Sequence, residues 1–330
     1  MRIRLIILSF LILSTFTAIA QEESSLFNRC INLGNMLEAP VEGEWGLRVQ
    51  EFYMETISDA GFDAVRIPIR WSAHADESAP YEIDDEFFDR IHQIVEWALD
   101  ADLQVILNVH HYEEMMTHPE EHFERLDALW MQIATSFADY PETVYFELLN
   151  EPNNALDNSL WNELYPQLIT TIRETNPERQ IIVGGDNWNS ADSLDGLELP
   201  DDTENLIATF HFYLPFQFTH QGAEWAEGSS AWLGIEFGSE DDFELVETTF
   251  DDVAAWSEEH DIPVLLGEFG AYSRADMESR LLYTETVREA AESRDFAWCY
   301  WEFASGFGIY DVGSRTFNDL YPMLIPEIEE

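Results

Sequence analysis

The chain repeats one pattern eight times: a short, almost continuously apolar run followed by a helical stretch or a loop. Runs that are apolar at successive positions are typical of strands buried on both faces of a parallel sheet. Eight such strands joined by crossover connections predict an α/β fold, a single-domain (β/α)8 TIM barrel. The predicted strands are Cys30–Gly34, Ala64–Pro68, Val105–Val109, Val144–Leu149, Gln180–Gly184, Leu206–Tyr213, Pro263–Gly267 and Phe296–Trp301.

Amphipathic stretches that fit the outer helices of such a barrel are Val49–Ala60, Asp85–Leu99, Phe123–Phe137, Trp161–Thr175, Phe243–His260 and Met277–Ser293. A final helix is expected over Asp319–Ile328, whereas Asp192–Asp202, after the fifth strand, is loop-like. The longest non-periodic stretch, Tyr213–Phe243, is rich in aromatic residues and glycine, and loops of this length are usually functional. We expect a functional site at the C-terminal ends of the strands, where barrels of this kind carry it.

The first twenty residues have the pattern of a secretory signal peptide. Arg2 and Arg4 precede an apolar stretch, Leu5–Phe16, and Ala18–Ala20 forms a small-x-small cleavage motif. The alternative is a membrane anchor, but the apolar stretch is shorter than the ~20 residues that a span needs. We therefore expect cleavage after Ala20, a secreted barrel over residues 21–330, and no membrane partner.

The charge of the chain is strongly negative. All 15 basic residues are arginine, 66 residues are acidic, and the formal net charge is −51. Such a charge excludes nucleic acid and anionic membrane surfaces as natural partners and suits an uncharged substrate. Because self-repulsion destabilises a compact state unless salt screens it, we hypothesise adaptation to saline surroundings. The alternative is an acidic composition without any salt requirement.

The chain has two cysteines, Cys30 and Cys299, which is too few for a disulfide framework. In a closed barrel they would lie on neighbouring strands, the first and the last. Because disulfide geometry is strict, we expect two buried free thiols and keep a single bridge as the alternative.

Two of the predicted strands run into a glutamate. Leu149-Asn150-Glu151-Pro152 follows the fourth strand, and Gly267-Glu268-Phe269-Gly270 follows the seventh. A carboxylate is costly to place at the end of a buried strand. Either glutamate alone is compatible with a structural role. Two at strand ends of one barrel favour the carboxyl pair of glycoside hydrolysis, in which one acid protonates the leaving oxygen and the other carboxylate attacks or activates water.

Other strand ends carry residues that suit sugar recognition. Arg66 is flanked by apolar residues, so it should be buried and paired, either to hold a catalytic carboxylate ionised or as a structural ion pair. Asn150 could bind a sugar hydroxyl, and Tyr213 could orient Glu268 by a hydrogen bond. Trp301 is a candidate stacking floor for a sugar ring, with core packing as its alternative. His110, His111 and His211 also end strands.

The sequence does not favour a metal or an organic cofactor. His110 and His111 are adjacent and would point to opposite faces of a strand, while the pair His118 and His122 lacks the glutamate of the zinc-protease motif. The stretch Asn32–Asn35 is not a dinucleotide fingerprint, and no Gly-x-Ser-x-Gly elbow occurs. We therefore expect neither metal nor cofactor.

These motifs together resemble glycoside hydrolase family 5, retaining (β/α)8 barrels that include endoglucanases. The motifs that carry the resemblance are Asn32–Asn35, Val65–Pro68, Asn108–Tyr112, Leu149–Pro152, His211–Tyr213, Gly267–Gly270 and Tyr300–Phe303. A narrower resemblance, to compact single-domain endoglucanases that also cut mannan, rests on Leu37–Pro40, His111–Glu114, Phe218–Trp225 and Ser305–Gly308. The absence of lysine and the presence of Cys30 depart from these relatives.

The resemblance implies that Glu151 is the acid/base and Glu268 the nucleophile, with a raised pKa expected for Glu151. It implies a −1 subsite lined by Arg66, His110, Asn150, His211, Tyr213 and Trp301. It implies neighbouring subsites contacted by Asn35, Glu38, His111, Trp188, His220 and Trp225.

We therefore expect a monomeric, secreted, retaining endo-β-1,4-glucanase. The first alternative is a β-1,4-mannanase or a dual enzyme, because glucose and mannose differ only at the 2-hydroxyl and few contacts, near Glu38, Asn150 and His211, would separate them. A remote alternative is a non-catalytic sugar-binding barrel, which predicts the loss of one carboxylate, and both are present.

Overall fold

A computed structural model describes residues 26–326 of the chain. Eight parallel strands hydrogen-bond in chain order and close into a barrel between the first and the last. The TIM-barrel prediction is therefore confirmed, with strand bounds that differ from the predicted ones by a few residues. The strands are β1 (Arg29–Asn32), β2 (Ala64–Ile69), β3 (Gln104–Val109), β4 (Val144–Glu147), β5 (Ile181–Gly184), β6 (Leu206–Phe212), β7 (Val264–Phe269) and β8 (Ala297–Tyr300).

The helices pack their apolar faces on the outside of the barrel. They are α1 (Glu51–Asp59), α2 (Asp85–Asp100), α3 (Glu113–Thr117), α4 (Pro119–Ser136), α5 (Asn158–Arg173), α6 (Asp186–Asn189), α7 (Phe216–Thr219), α8 (Glu240–His260), α9 (Met277–Glu292) and α10 (Tyr321–Leu324). Acidic and hydroxyl side chains begin several of them. Asp84, Asp157, Ser239 and Asp276 each accept a hydrogen bond from a backbone N–H of the first turn.

Three segments depart from the predicted elements. The stretch after β5 contains α6 and a 3-10 helix over Ala191–Gly196 where we expected mostly loop. The long connection after β6 contains α7 and a 3-10 helix over Ser229–Trp232. The final helix is a single turn, α10, rather than Asp319–Ile328, and residues after 326 lie outside the described part of the chain. A two-stranded sheet, Tyr310–Asp311 with Thr316–Phe317, follows β8.

The barrel interior is layered, because successive strand residues face alternately inward and outward. One inward layer is apolar and consists of Phe27, Cys30, Ala64, Ile106, Tyr145, Ile182, Ile207, Leu265, Ala297 and Cys299. Two residues further along the strands the inward positions are polar and equally buried: Asn32, Arg66, Asn108, Glu147 and Thr209. The polar layer therefore lies directly beneath the C-terminal end of the barrel, on an apolar floor.

The two cysteines form a disulfide across the closing seam of the barrel. Cys30 of β1 lies in register with Cys299 of β8, and their Cα atoms are 4.2 Å apart. Our expectation of two free thiols is therefore wrong. The parallel register of β1 and β8 faces both side chains into the same interior layer, side by side across the seam.

The predicted signal peptide, residues 1–20, lies outside the described residues. Within residues 26–326, no helix is both long and apolar enough to cross a bilayer.

Candidate active site

Glu151 and Glu268 come together at the C-terminal end of the barrel. Glu268 is part of β7, and Glu151 follows β4 by four residues. One carboxylate oxygen of each and a ring nitrogen of His211 all lie within 4.8 Å of one another. Retaining glycosidases hold their two carboxyl groups about 5 to 5.5 Å apart, and inverting ones about 6.5 to 9.5 Å apart. The separation therefore fits direct attack by one carboxylate and leaves no room for a water between the two.

Arg66 is the centre of the polar layer, fully buried, and all five of its N–H donors are used. Nε and Nη2 donate to the two carboxylate oxygens of Glu147, at 2.6 and 2.7 Å. Nη1 donates to Glu268 Oε1 at 2.7 Å and to Asn32 Oδ1 at 2.8 Å. Nη2 also donates to Asn150 Oδ1 at 2.8 Å. The predicted contact of Arg66 with one of the two carboxylates is present. The side-chain amide of Asn150, which accepts from Arg66, also forms a hydrogen bond with Glu151.

Glu268 is held at both oxygens. Arg66 donates to Oε1, and the hydroxyl of Tyr213 donates to Oε2 at 2.9 Å. Burial raises the pKa of Glu268 from its ordinary value, and the positive charge of Arg66 opposes this rise. Burial and the adjacent carboxylate raise the pKa of Tyr213 well above its usual range, so its hydroxyl remains a donor.

Glu151 has the surroundings of an acid. Its side chain is 25% exposed toward the cleft, yet the removal of its carboxyl from water raises the pKa of Glu151 to about 7. Arg66 lowers this value and Glu147 raises it. His211 Nδ1 lies 2.9 Å from Glu151 Oε1. Because burial lowers the pKa of His211 to about 4, the imidazole is neutral at neutral pH. Gly267 makes room for that ring, since a Cβ there would lie 2.9 Å from its Nε2.

A cleft of about 490 Å³ opens above the two carboxylates. Of the predicted site residues, it is lined by Asn35, Glu38, His110, His111, Asn150, Glu151, Tyr213, His220, Trp225, Glu268 and Trp301. Arg66 and His211 lie beneath it as the support described above. Trp188 is not part of the cleft wall: the residue is 51% exposed in α6, and its backbone N–H donates to the carbonyl of Pro152.

The cleft also has walls that the sequence analysis did not assign, formed by Trp45, Tyr272, Ser305, Gly306 and Phe307. Trp45 lies in a turn between Gly43 and Gly46, both at positive φ, and its ring meets His111 edge-on at 5.8 Å. The sequence signal that could have identified this wall is a tryptophan in a short segment flanked by two glycines, Gly43 and Gly46. The stretch Ser305–Gly308 entered the sequence analysis only as a motif of resemblance.

Two further buried glutamates shape the loops of the cleft. Glu38 accepts backbone N–H groups from Asn35 and Met36, and Glu302 accepts those of residues 304, 305 and 307. Burial raises the pKa of Glu38 to about 7 and that of Glu302 to about 8. Glu38 therefore orders the loop after β1, and Glu302 orders the loop that follows Trp301. The ring of Trp301 stacks parallel to His110 at 5.9 Å.

Three residues that line the cleft have a strained backbone. Asn35, His111 and Glu151 have φ values of 62, 50 and 49°, in the left-handed region. Each such non-glycine residue costs about 1 to 2 kcal/mol. The fold therefore places these three side chains at the expense of stability, as is common in functional sites.

The histidines of the cleft are neutral groups. Burial lowers the pKa of His111 and of His220 to about 4, and that of His110 well below its usual range. A wall of neutral imidazoles, amides and aromatic rings suits hydroxyl groups and apolar ring faces.

Within the described residues, Glu151, His211 and Glu268 are the one group whose donor atoms are close enough to hold a metal ion. Arg66 lies 2.7 Å from Glu268 in the same cluster. A fixed guanidinium charge at that distance opposes a divalent cation, so the donor set favours proton transfer and nucleophilic attack over metal binding.

Two carboxylates held in opposite surroundings at strand ends of a closed barrel define the class of (β/α)8 glycoside hydrolases. The sequence model of one family in this class, cellulase (glycosyl hydrolase family 5), matches residues 32–306. The chain belongs to this family, and the predicted resemblance is confirmed.

Several solved structures share the fold closely. Cel5A of Thermotoga maritima, in complex with mannotriose, is 47% identical and superposes with a TM-score of 0.89, covering 90% of this chain and 97% of that one. Another structure of that enzyme, in complex with cellobiose, is 47% identical with the same TM-score and the same coverage. The cellulose synthase subunit Z of Clostridioides difficile is 40% identical with a TM-score of 0.88, covering 91% of this chain and all of that one.

Curated relatives carry endoglucanase names. Endoglucanase H of Acetivibrio thermocellus is 37% identical over 293 residues, which is 87% of this chain. The chain spans only 31% of the length of that relative. Endoglucanase B of Ruminococcus albus is 30% identical over 82% of this chain and 69% of its own length.

Proposed function

We propose that the protein is a secreted endo-β-1,4-glucanase that hydrolyses internal bonds of glucans with retention of configuration. The observation that carries the proposal is the carboxyl pair: Glu151 and Glu268 lie within 4.8 Å of each other in different surroundings. Glu268 is bound by Arg66 and Tyr213, donors that favour its anion. Glu151 faces the cleft with a pKa raised to about 7, so it retains a proton near neutral pH.

In the first step, Glu268 attacks the anomeric carbon while Glu151 gives its proton to the leaving glycosidic oxygen. A bond forms between Glu268 and the sugar, the glycosidic bond breaks, and the released chain carries the proton. In the second step, Glu151 takes a proton from water, and the water oxygen displaces Glu268 from the sugar. The proton returns to Glu151 and both carboxyl groups recover their starting states.

The cleft supports a neutral polysaccharide as the substrate. Its aromatic floor and walls, Trp301, Trp45 and Trp225, offer flat surfaces for sugar rings. Its histidines are neutral hydrogen-bonding groups. The net charge of −51 disfavours anionic polymers by long-range repulsion.

Mannan is a second candidate substrate. Cel5A of Thermotoga maritima forms one complex with mannotriose as its substrate and another with cellobiose. At 47% identity and equal coverage, these two complexes favour a dual specificity for β-1,4-glucan and β-1,4-mannan. In this chain the side-chain amide of Asn150 and the carboxyl of Glu38, which both line the cleft, are the groups we propose to meet the 2-hydroxyl.

The test is reducing-sugar release from the neutral polymers hydroxyethylcellulose, mixed-linkage β-glucan, glucomannan and pure mannan, with the product anomer followed by NMR. Glucan turnover with retention supports the proposal, and comparable rates on mannan support the dual enzyme. The variant Glu268→Ala should be inactive with an unchanged circular-dichroism spectrum. Activity retained in that variant, or inversion at the anomeric carbon, would refute the mechanism.

Export and salt adaptation are further proposals that rest on the sequence. We propose that residues 1–20 are removed on secretion, which amino-terminal sequencing of the exported protein tests through a start at Gln21. A disulfide within the barrel supports an oxidising destination. The proposed salt requirement follows from the excess of acidic side chains.

A further inference from the structure

Glu147 is a third carboxylate of the barrel interior, and the two-step hydrolysis gives it no part. It is the last residue of β4 and is 1% exposed. It does not line the cleft, so it does not reach a substrate. Its two oxygens accept Nε and Nη2 of Arg66, at 2.6 and 2.7 Å, and Asn108 Nδ2 donates to Oε1 at 3.3 Å.

This arrangement decides how Arg66 meets the nucleophile. A guanidinium has five N–H donors in a rigid plane and can bind a carboxylate through two of them at once. Glu147 takes that two-point contact, and Asn32 and Asn150 take two further donors. Glu268 is left with a single N–H, on Nη1. Arg66 therefore orients the nucleophile through one hydrogen bond and does not bind both of its oxygens.

The charge balance points the same way. Glu147 offsets the charge of Arg66, so the catalytic carboxyls do not face an uncompensated cation. When Glu268 becomes an ester in the first step, it loses its negative charge, and Glu147 is then the anion that remains beside Arg66. A cation left unpaired at that stage would hold Glu151 ionised after it has given up its proton and would weaken it as a base.

We propose that Glu147 is a positioning residue of the hydrolysis: it fixes the orientation of Arg66 toward Glu268 and compensates its charge through both steps. The inference rests on the proposed function of the site. Glu147 acts through Arg66 and does not contact the reacting atoms.

The charged and titratable groups around this cluster are Glu38 after β1, Arg66 from β2, His110 and His111 after β3, Glu151 after β4, His211 from β6, Tyr213 after β6 and Glu268 from β7. Burial raises the pKa of Glu38 to about 7, so Glu38 titrates in the range of the alkaline limb in the wild type and in the variant alike. Burial lowers the pKa of His110 well below its usual range. His211 is neutral between pH 5 and 8, because burial lowers its pKa to about 4. Tyr213 is neutral there as well. A charge removed at Glu147 is therefore felt by Glu151 and Glu268 and is not masked by a change at a histidine.

The experiment compares pH profiles of kcat/KM for the wild type and Glu147→Gln on soluble β-glucan. Glutamine keeps the size of the side chain and removes its charge. We expect the alkaline limb, which reports Glu151 as the acid, to move toward lower pH by about one unit. We expect kcat/KM at pH 7 to fall about tenfold or more. A merely structural role would lower the melting temperature and leave the limb in place.

Two variants complete the design. Glu42→Gln breaks a comparable two-point contact, with Arg90 Nε and Nη2 at 3.0 and 2.8 Å, and should leave the limb at its wild-type pH. Glu147→Asp keeps the charge but is too short to hold both donors, so we expect a lower kcat with the limb unmoved. It also serves as the test if Glu147→Gln does not fold.

The outcomes separate the inference from the proposed function. A wild type that does not hydrolyse β-glucan, or inverts it, overturns the proposed function. Suppose that the wild type is active and retaining, and that the alkaline limbs of the wild type and of Glu147→Gln differ by no more than 0.2 pH unit, which is about the error of such a profile. This result overturns the role of Glu147 and leaves the proposed function in place. If only Glu147→Asp folds, its alkaline limb should stay at the wild-type pH because the charge is retained. A displacement of that limb by about one pH unit also overturns the role of Glu147.

Discussion

The hydroxyl of Tyr213 donates a 2.9 Å hydrogen bond to Oε2 of Glu268, the oxygen that Arg66 leaves free. The proposed nucleophile is thus held at one oxygen by Arg66 of β2 and at the other by Tyr213, which directly follows β6. A rotation of its carboxylate would break one of these two contacts.

Tyr213→Phe should lower kcat on soluble β-glucan by about 10- to 100-fold, since a hydrogen bond to a charged group contributes about 1.5 to 3 kcal/mol. The lost donor stabilised the anion of Glu268, so the pKa of Glu268 should rise and the acid limb of the kcat profile should move to higher pH. Steady-state kinetics from pH 4 to 8 check both effects. A kcat equal to that of the wild type would contradict the role given to Tyr213.

Activity should decline as the pH rises through about 7, because burial raises the pKa of Glu151 to about 7 and its deprotonation removes the acid. Glu151→Ala should lose this alkaline limb when the substrate is an aryl cellobioside whose leaving group needs no proton. Glycosylation, measured as the burst of released aryl alcohol, should persist in this variant. A variant that fails to release the aryl group at all would count against Glu151 as the acid.

Thermal stability should fall between about pH 5 and pH 8 in part because of Glu302. Burial raises its folded-state pKa to about 8, from an ordinary value of 4.5. The folded chain therefore binds this proton more tightly than the unfolded chain, and the stabilisation present below pH 4.5 is lost as the pH rises toward 8. Glu302→Gln, which cannot ionise, should show a flatter dependence of the melting temperature on pH than the wild type does.

The matched control for Glu302 is Glu55→Gln, a substitution at an exposed position of α1. It removes the same formal charge from the surface and should leave the slope of melting temperature against pH as it is. Equal slopes in all three proteins would mean that Glu302 is not a source of the pH dependence.

Removal of the disulfide by the double substitution Cys30→Ala/Cys299→Ala should lower the free energy of unfolding by about 2 to 4 kcal/mol. For a chain of this size the melting temperature should drop by about 3 to 6 °C. Scanning calorimetry of the two proteins, each with and without a thiol reductant, checks this. The reductant should lower the melting temperature of the wild type alone, and an equal response of both proteins would show that the bridge is absent in solution.

Salt should raise the melting temperature, in line with the proposed saline adaptation. With 66 acidic residues against 15 arginines, repulsion within the folded chain is large at low ionic strength and is screened over about 3 Å at molar salt. Melting curves in 0.01, 0.1 and 1 M NaCl, repeated with KCl to separate screening from ion-specific effects, are the measurement. Coincident curves would favour an acidic composition with no salt requirement.

Much of the fold and the central pair could be predicted from the sequence because both depend on local patterns. Strands buried on both faces are continuous apolar runs, so β1 to β8 stand out without knowledge of their partners. Glu151 and Glu268 stand out because a charged residue interrupts or ends such a run. The topology of a barrel then brings the strand ends to one face, and their separation in the chain does not matter.

What could not be predicted depends on which way a side chain faces. Every residue of β4 is buried, so the run gives no sign that Glu147 faces the interior while Phe146 faces the helices. The bridge between Cys30 and Cys299 needed the register of β1 against β8, which no local pattern encodes. Trp188 has φ 58° in α6, and this local conformation sets it outside the cleft wall although its residue type suits a sugar.

The bond between Cys30 and Cys299 makes residues 30–299 a closed covalent loop, since it links positions 269 apart in sequence on β1 and β8, the two strands that close the barrel. A single cut by an extracellular protease in any connection between β1 and β8 would open this loop without separating the chain into two molecules. Glu151 and Glu268 lie on the loop, and such a cut would leave them on one connected chain with Arg66 and Glu147. The disulfide would thus keep a nicked barrel in one piece, a protection separate from its contribution to thermal stability.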